Sequence, residues 1–494
     1  MKKRFSLAMV FLLAVSVLVT ACGGGGGATE EAPPANDAGT AAETPAKEEA
    51  KEEPAAPKPQ ELTMVHIQGE SAWPAYEKLV KAFEEKTGHK VKLQYVPAGE
   101  FEKFIEAQFI AGSEPEIVYY NGGDRATWHK NNWIIDLYPY MNEANQYTGK
   151  PWKETYLPGT IESASDKTDP NKPKLYGIPA QIVTVNLYYN KKIFQEIGVT
   201  QPPATISEMI DVAKKAHDKG YIGFSLQNSL DWNLSWLASD LWMTLLRPRL
   251  AEFDVLNKNG EVEMNEWVLA VKKGLINENS PELKEYLKTL KTLSPYFNEG
   301  FNTASWEFEG LFNDGKSAMV LNGSWYPNQH LQGGYTVDYG IAAIPYLDKG
   351  FSPLGEDERK KYKIGAAPEI SISGKAAKDG KLDAALQFLH FFSDPNQGAK
   401  LMTEELLTIP PVAGVPVPEL LKPVMDSFGE ETGFVANFNN FEPEQKDLWF
   451  KAQQQFLEGK MSEEQFLEAF GKNLQKYADN AIKANPDWKL EEHL

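Results

Sequence analysis

The sequence predicts an α/β protein built as two lobes, and three observations carry that expectation. Apolar runs of strand length alternate with helical periodicity from residue 62 onward. Residues 61–494 exceed the roughly 250–300 residues at which a single hydrophobic core usually divides. Several aromatic residues fall just after the predicted strands, where open α/β sheets hold their ligands.

Residues 62–67 read as the first strand. Tyr76, Leu79, Val80 and Phe83 then recur at i, i+3, i+4 and i+7, the spacing of one helix face, and Gly88 is placed to cap that helix. Val91, Leu93 and Tyr95 alternate with Lys90, Lys92 and Gln94 in a second strand. Phe101, Phe104, Ile105 and Phe109 mark a second helix, and residues 117–120 a third strand. Strand, helix, strand, helix, strand implies parallel strands joined by right-handed crossovers.

From Tyr176-Gly177-Ile178-Pro179 the chain runs into residues 183–189, and the first passage between lobes is placed near Ala180. Thr205 and Glu208 form a capping box for a helix that Gly220 closes, and residues 221–226 read as a strand. The stretch 312–327 contains a turn at 313–315, a buried-strand run at 318–321 and a stop at Asn322-Gly323 before Trp325 and Tyr326. It is expected to carry the chain back into the first lobe, and a third passage near Ser373 to return it to the second. Asp394-Pro395 reads as a helix start, and Ser462 with Gln465 as a further capping box. The expected lobes are 61–179 with 317–372, and 180–316 with 373–494, joined by a three-crossing hinge.

Lys2-Lys3-Arg4 followed by the apolar run 5–19 reads as a secretory signal, too short for a comfortable membrane span. The run ends in Val19-Thr20-Ala21-Cys22, which resembles the bacterial lipobox, so residues 1–22 are expected to be a lipoprotein leader with Cys22 as the lipidated residue. Cys22 is the only cysteine, which excludes an internal disulfide. Residues 23–60 are rich in Gly, Ala, Pro and Glu, with no large apolar side chain, and are expected to form a disordered tether.

A net charge of −19 argues against nucleic acid or an anionic lipid surface as partner. The seven histidines, at 66, 89, 129, 217, 330, 390 and 493, show no metal-ligand spacing. A P-loop, a GxSxG elbow and a GxGxxG motif after a strand are all absent, and neither cofactor nor catalytic residue is expected.

The candidate binding residues share one property, a place just after a predicted strand. Trp73, Tyr119, Tyr120, Trp232, Trp325 and Tyr326 meet it, and Gln181 and Asn228 lie near the crossings. By contrast Trp267, Trp306 and Trp449 fall within helical periodicity, where core packing is the commoner role. An aromatic ring can cover the C–H face of a pyranose, and some tens of Å² buried there contribute on the order of 1 kcal/mol.

Residues 312–325 resemble a segment of the extracellular solute-binding proteins that serve sugar ABC importers, the maltose- and oligosaccharide-binding type. Further matches follow in the family's order: Pro115-Glu116-Ile117, Leu187-Tyr188-Tyr189-Asn190-Lys191-Lys192, Tyr339-Gly340-Ile341-Ala342-Ala343-Ile344-Pro345, and Ala384-Ala385-Leu386-Gln387-Phe388-Leu389 to Asp394-Pro395. The likeness covers residues 61–494 and implies a periplasmic-binding-protein-like fold of two discontinuous α/β lobes. It also implies a carbohydrate ligand, permease subunits as partners, attachment to the outer face of the cytoplasmic membrane through Cys22, and a monomer. Asp124 and Arg125 match an Asp-Arg pair that contacts sugar in the family. The loop 68–73 departs from the charged pattern of maltose binders, so maltose itself is not implied. Two other readings compete. A secreted hydrolase would need two carboxylates, for which Asp124 and Glu369 are the nominees. A peptide or polyamine binder would need a more acidic rim.

Overall fold

The computed structural model describes residues 58–494 apart from 68, 121–123, 167–171, 229–232, 259, 261, 304–306, 362–368, 426–427 and 430–442. The expected leader, Cys22 and nearly all of the tether lie outside the described residues, as do Trp232 and Trp306.

The first sheet grows from the alternation that the sequence announces. Strand β1 (Glu61–His66) is followed by helix α1 (Trp73–Thr87), β2 (Lys90–Tyr95), α2 (Ala98–Ala111), β3 (Ile117–Tyr120) and the short α3 (Arg125–Lys130). Strand β1 pairs in parallel with both β2 and β3. Helix α1 buries Tyr76, Leu79 and Phe83 on one face, and Gly88 ends it in the left-handed region with φ 78°. That conformation strains any residue with a side chain, which is why glycine stands there. After α3 the chain reaches β4 (Ile178–Pro179), the outer strand of the same sheet.

A second sheet is antiparallel throughout, with β5 (Val185–Asn190) at its centre. Leu187 and Tyr188 point to opposite faces of β5 and enter different apolar clusters. Helices α4 (Ile206–Asp218), α5 (Asn233–Leu246), α6 (Met264–Lys272) and α7 (Pro281–Leu293) supply the larger cluster. Thr205 and Glu208 form the reciprocal capping box at the start of α4. Strand β6 (Met319–Gly323) leads into α8 (Tyr326–Gln332), and β7 (Tyr339–Ala343) pairs on the other side of β5. The chain then returns to the first sheet as β8 (Glu369–Ile372), antiparallel between β3 and β4. Helices α9 (Leu382–Phe392) and α10 (Gly398–Leu406) cover that sheet, with Phe388 edge-on to Phe83 at 5.1 Å. Helices α11 (Pro443–Leu457) and α12 (Glu463–Ala484) close over the second core, where Trp449 meets Phe470 at 5.0 Å.

These pairings correct the expected lobe boundaries. Residues 317–343 belong with the second sheet, not the first, because β6 and β7 both hydrogen-bond to β5. Residues 374–406 belong with the first core, not the second. The chain passes between the sheets at 180–184, between β7 and β8, and again after α10, whereas Ser317 and Ser373 each adjoin a strand of the sheet that the chain does not leave there. An apolar run such as 318–321 reads alike whichever sheet it joins, since pairing is a non-local choice. Residues 221–226 also differ from expectation: they make isolated bridges, among them Ile222 to Ser317 and Ser225 to Val320, rather than a strand. Among the described residues no helix is long and apolar enough to cross a membrane.

Candidate functional site

Two rims face the passage at 180–184. On the first, β1, β3 and β4 all end at one edge, and β8, running the other way, begins there. The register sets Glu369 opposite both Tyr120 and Pro179. Side-chain alternation along β3 turns Tyr119 toward α1, where it meets Tyr76 edge-on at 6.1 Å, and turns Tyr120 to the other face beside Trp128. The Glu369 carboxylate is buried, and a buried charge needs partners. Arg125 donates to its Oε1, and the Tyr120 hydroxyl donates to Oε2 at 3.1 Å. Ser371 Oγ lies 3.3 Å from the Tyr120 hydroxyl.

The electrostatics follow from this packing. Burial pushes the Glu369 carboxyl above its ordinary value, and the Arg125 charge, with hydrogen bonds from Arg125 and Tyr120, pulls it part of the way back. Burial opposes the Arg125 charge, yet the neighbouring carboxylate more than compensates and holds the guanidinium firmly protonated. The Tyr120 hydroxyl is raised well above the usual tyrosine value, first by burial and then by Glu369. Arg125 keeps a side-chain exposure of 38% at the rim. Gly177 makes this close packing possible: a Cβ there would stand 2.9 Å from both Glu369 Cβ and Ser371 Oγ.

The second rim lies at the near end of the second sheet. Val185 pairs with Gly323, and the Ser324 amide donates to the Thr184 carbonyl at 2.8 Å. The chain then turns into α8 with Trp325 at the cap position. Its half-buried ring lies 6.0 Å from that of Trp236 on α5, inclined by 64°. The six steps from Pro179 to Val185 can span at most roughly 20 Å, which bounds the separation of the two strand ends. A charged fork and a pair of indoles on neighbouring rims can hold a neutral polyhydroxylated molecule by stacking and directed hydrogen bonds.

The remaining expected residues divide. Trp73 starts α1, half-buried, its indole N–H donating to Glu77 at 2.8 Å and its ring 5.5 Å from His66 at the end of β1. Gln181 is buried within the passage itself. Asp124 is exposed and caps α3, its Oδ1 accepting from the Thr127 amide at 3.0 Å. Arg125 turns to Glu369, so the two carboxylates nominated for hydrolysis serve as a helix cap and an ion-pair partner. Three residues sit in the scaffold. Tyr119 is core. Tyr326 is buried against Tyr188 at 4.7 Å with its hydroxyl donating to Asn313. Asn228 is fully buried, donating to Asn302 at 2.7 Å and accepting from Gln453 at 3.2 Å. The strand-end rule failed for Tyr119 because consecutive residues of a strand face opposite ways, so only one of the pair can meet a cleft, and for Tyr326 because it lies beyond the strand, in the first turn of α8, whose inner face it fills. Trp236 and the role of Glu369 were missed. Trp236 falls inside α5 rather than after a strand, so a search for aromatics at strand ends passes over it. Among the described residues no cluster of His, Cys, Asp and Glu could hold a metal ion.

The model of the bacterial extracellular solute-binding protein family matches residues 71–399. The chain belongs to this family. Solute-binding relatives include a galactooligosaccharide-binding protein of Bacillus subtilis (strain 168), 22% identical over 76% of this chain and 78% of that one. A binding protein of Brucella abortus (strain 2308) is 25% identical over 55% of this chain, which spans about 60% of that relative's length. The fold of a chitin oligosaccharide binding protein superposes with a TM-score of 0.63 at 20% identity, covering 85% of this chain and 99% of the other. This solute-binding protein therefore has the fold of periplasmic binding proteins.

Proposed function

We propose that this protein is the lipid-anchored substrate-binding component of an ABC importer, and that it captures an oligosaccharide by lobe closure and delivers it to the membrane permease. The observation that carries the reading is the presence of the Trp325 and Trp236 rings at the end of the second sheet and of the Arg125, Glu369 and Tyr120 cluster at the end of the first, each beside the passage at 180–184. Indole faces fit the apolar faces of sugars, and the Arg125 fork fits vicinal hydroxyls. Relatives named for galactooligosaccharide and chitin oligosaccharide support the same chemical class. In this reading Trp73, Gln181, Asp124 and Trp232 are further contacts.

Titration calorimetry of the purified protein with maltotriose, galactotriose and chitotriose tests the ligand class. Saturable binding of at least one trisaccharide is expected. Binding of spermidine or a tripeptide with none of the three sugars would replace the reading. The anchor rests on the leader and Cys22. Replacement of Cys22 by Ala in a native host should release the protein from the membrane fraction, and full retention would remove the anchor.

A further inference from the structure

Gly323 is the last residue of β6, and its backbone is held from both sides. Its carbonyl accepts from the buried Tyr188 hydroxyl at 2.8 Å, and its amide donates to Asn322 Oδ1 at 2.8 Å. Asn322 is tied in turn to Glu309 at 2.8 Å, and the next amide, that of Ser324, is fixed to Thr184. The φ angle of Gly323 lies outside the left-handed region, so the backbone itself does not call for glycine. The reason for glycine is the neighbouring ring. A Cβ at Gly323 would stand 2.3 Å from Cη2 and Cζ3 of Trp325 and 2.4 Å from Cε3. The six-membered part of the indole therefore rests directly on the strand, in the space that a side chain would fill.

We propose that Gly323 is the positioning residue for Trp325: the missing side chain is the seat that lays the indole against the strand end, beside Trp236. Because hydrogen bonds pin the strand on both sides, a Cβ would be relieved by rotation of the ring rather than by a shift of the backbone. Rotation carries Trp325 to another rotamer, away from its inclined contact with Trp236. The ring's presentation to a sugar then fails, a consequence that rests on the function proposed above. The seat itself does not depend on any ligand.

The test is Gly323→Ala in two backgrounds, wild type and Trp325→Ala, with thermal melts, near-ultraviolet circular dichroism, acrylamide quenching and titration with maltotriose, galactotriose and chitotriose. In the wild-type background the tryptophan bands and the quenching are expected to change, and affinity for the bound trisaccharide to fall about tenfold. In the Trp325→Ala background the same substitution is expected to change none of these, as a double-mutant cycle requires of residues that act through each other. Equal effects in both backgrounds, or unaltered spectra in the first, would overturn the seat. If Gly323→Ala unfolds the protein, folding restored by Trp325→Ala supports the clash, and unfolding in both backgrounds refutes it. Should Trp325→Ala leave trisaccharide binding intact, the binding role of Trp325 falls while the spectra still decide the seat.

Discussion

Arg125 and Glu369 show how a single residue can be legible in type and illegible in role. The sequence marks Arg125 as a donor just beyond a strand but sets Asp124 beside it; the fold spends Asp124 on the α3 cap and brings Glu369 from a strand 244 residues away. That partner could not be read locally, because antiparallel pairing of β8 with β3 decides it. Glu369→Gln keeps the shape and an acceptor for Tyr120 but removes the charge that orients the Arg125 fork. Affinity for the bound trisaccharide is expected to fall about tenfold, or ~1.4 kcal/mol, and Arg125→Ala added to it should cost little more. Calorimetric titration of the three variants decides it; additive losses would mean that the two act independently. His390 gives a pH dependence of known sign. Burial against Trp152, 4.3 Å away, pushes its imidazole down to about 4. The unfolded chain takes up the proton near 6.5, so the contribution of neutral His390 is intact above pH 6.5 and is lost as pH falls toward 4. At pH 5 the loss is about 2 kcal/mol. Urea melts at pH 7 and pH 5 should therefore show a larger drop for wild type than for His390→Gln, and equal drops would sink the assignment.

Helix spacing and caps are set by near neighbours, whereas the partner of a strand is set by residues far along the chain. The 3.6-residue spacing of α1 and the capping boxes at Thr205 and Ser462 each stand in the structure as the sequence announces them; β2 forms too, but its alternation fades toward its end, where Tyr95 is exposed. The sheet that receives β6 depends on residues more than a hundred positions away, and the expectation failed there. Asp394-Pro395 likewise makes a turn, with α10 beginning only at Gly398, since the Asp394 side chain bonds the Asn396 amide. The division of tryptophans between helix faces and strand ends can be tested directly. Trp267 on α6 is 1% exposed and stacked 5.9 Å from Phe253, so Trp267→Ala should destabilise by about 3–5 kcal/mol and leave the affinity of the folded protein unchanged. Trp325→Ala should do the reverse, weakening trisaccharide binding by about ten- to a hundredfold with a small change in melting. Denaturant melts and titrations on the same preparations separate the two, and matching profiles would erase the distinction.

For the whole molecule, the question is how two sheets on separate cores could move together. Lys58–Leu494 forms a single compact unit, yet its sheets are joined by only a few segments. Ile182 in the first passage pairs with Ile409 in the last, the Ile182 amide donating to the Ile409 carbonyl at 2.9 Å, and both side chains pack on the second sheet. Just beyond, Leu157 donates to the Pro411 carbonyl and Ala413 to Thr155, which ties the same strap to the first core. Rotation about this paired strap would leave both cores packed, the usual condition for a hinge. Away from it, Asn328 of α8 donates to the Ser71 carbonyl at 3.4 Å across the two rims. A sugar held by Arg125 on one rim and Trp325 on the other can reach both only when they are close, and that difference in contacts is what shifts a population. Moving it from 1:99 to 99:1 takes ~5.5 kcal/mol of preference for the closed form, within reach of two stacked rings and several hydroxyl hydrogen bonds. Small-angle scattering of residues 58–494 should show a smaller radius of gyration at saturating trisaccharide than without it, and Trp325→Ala should need more sugar to reach the same end point. A radius unchanged by saturating sugar, in a protein that binds it with wild-type affinity, would remove closure from the mechanism and leave a rigid receptor.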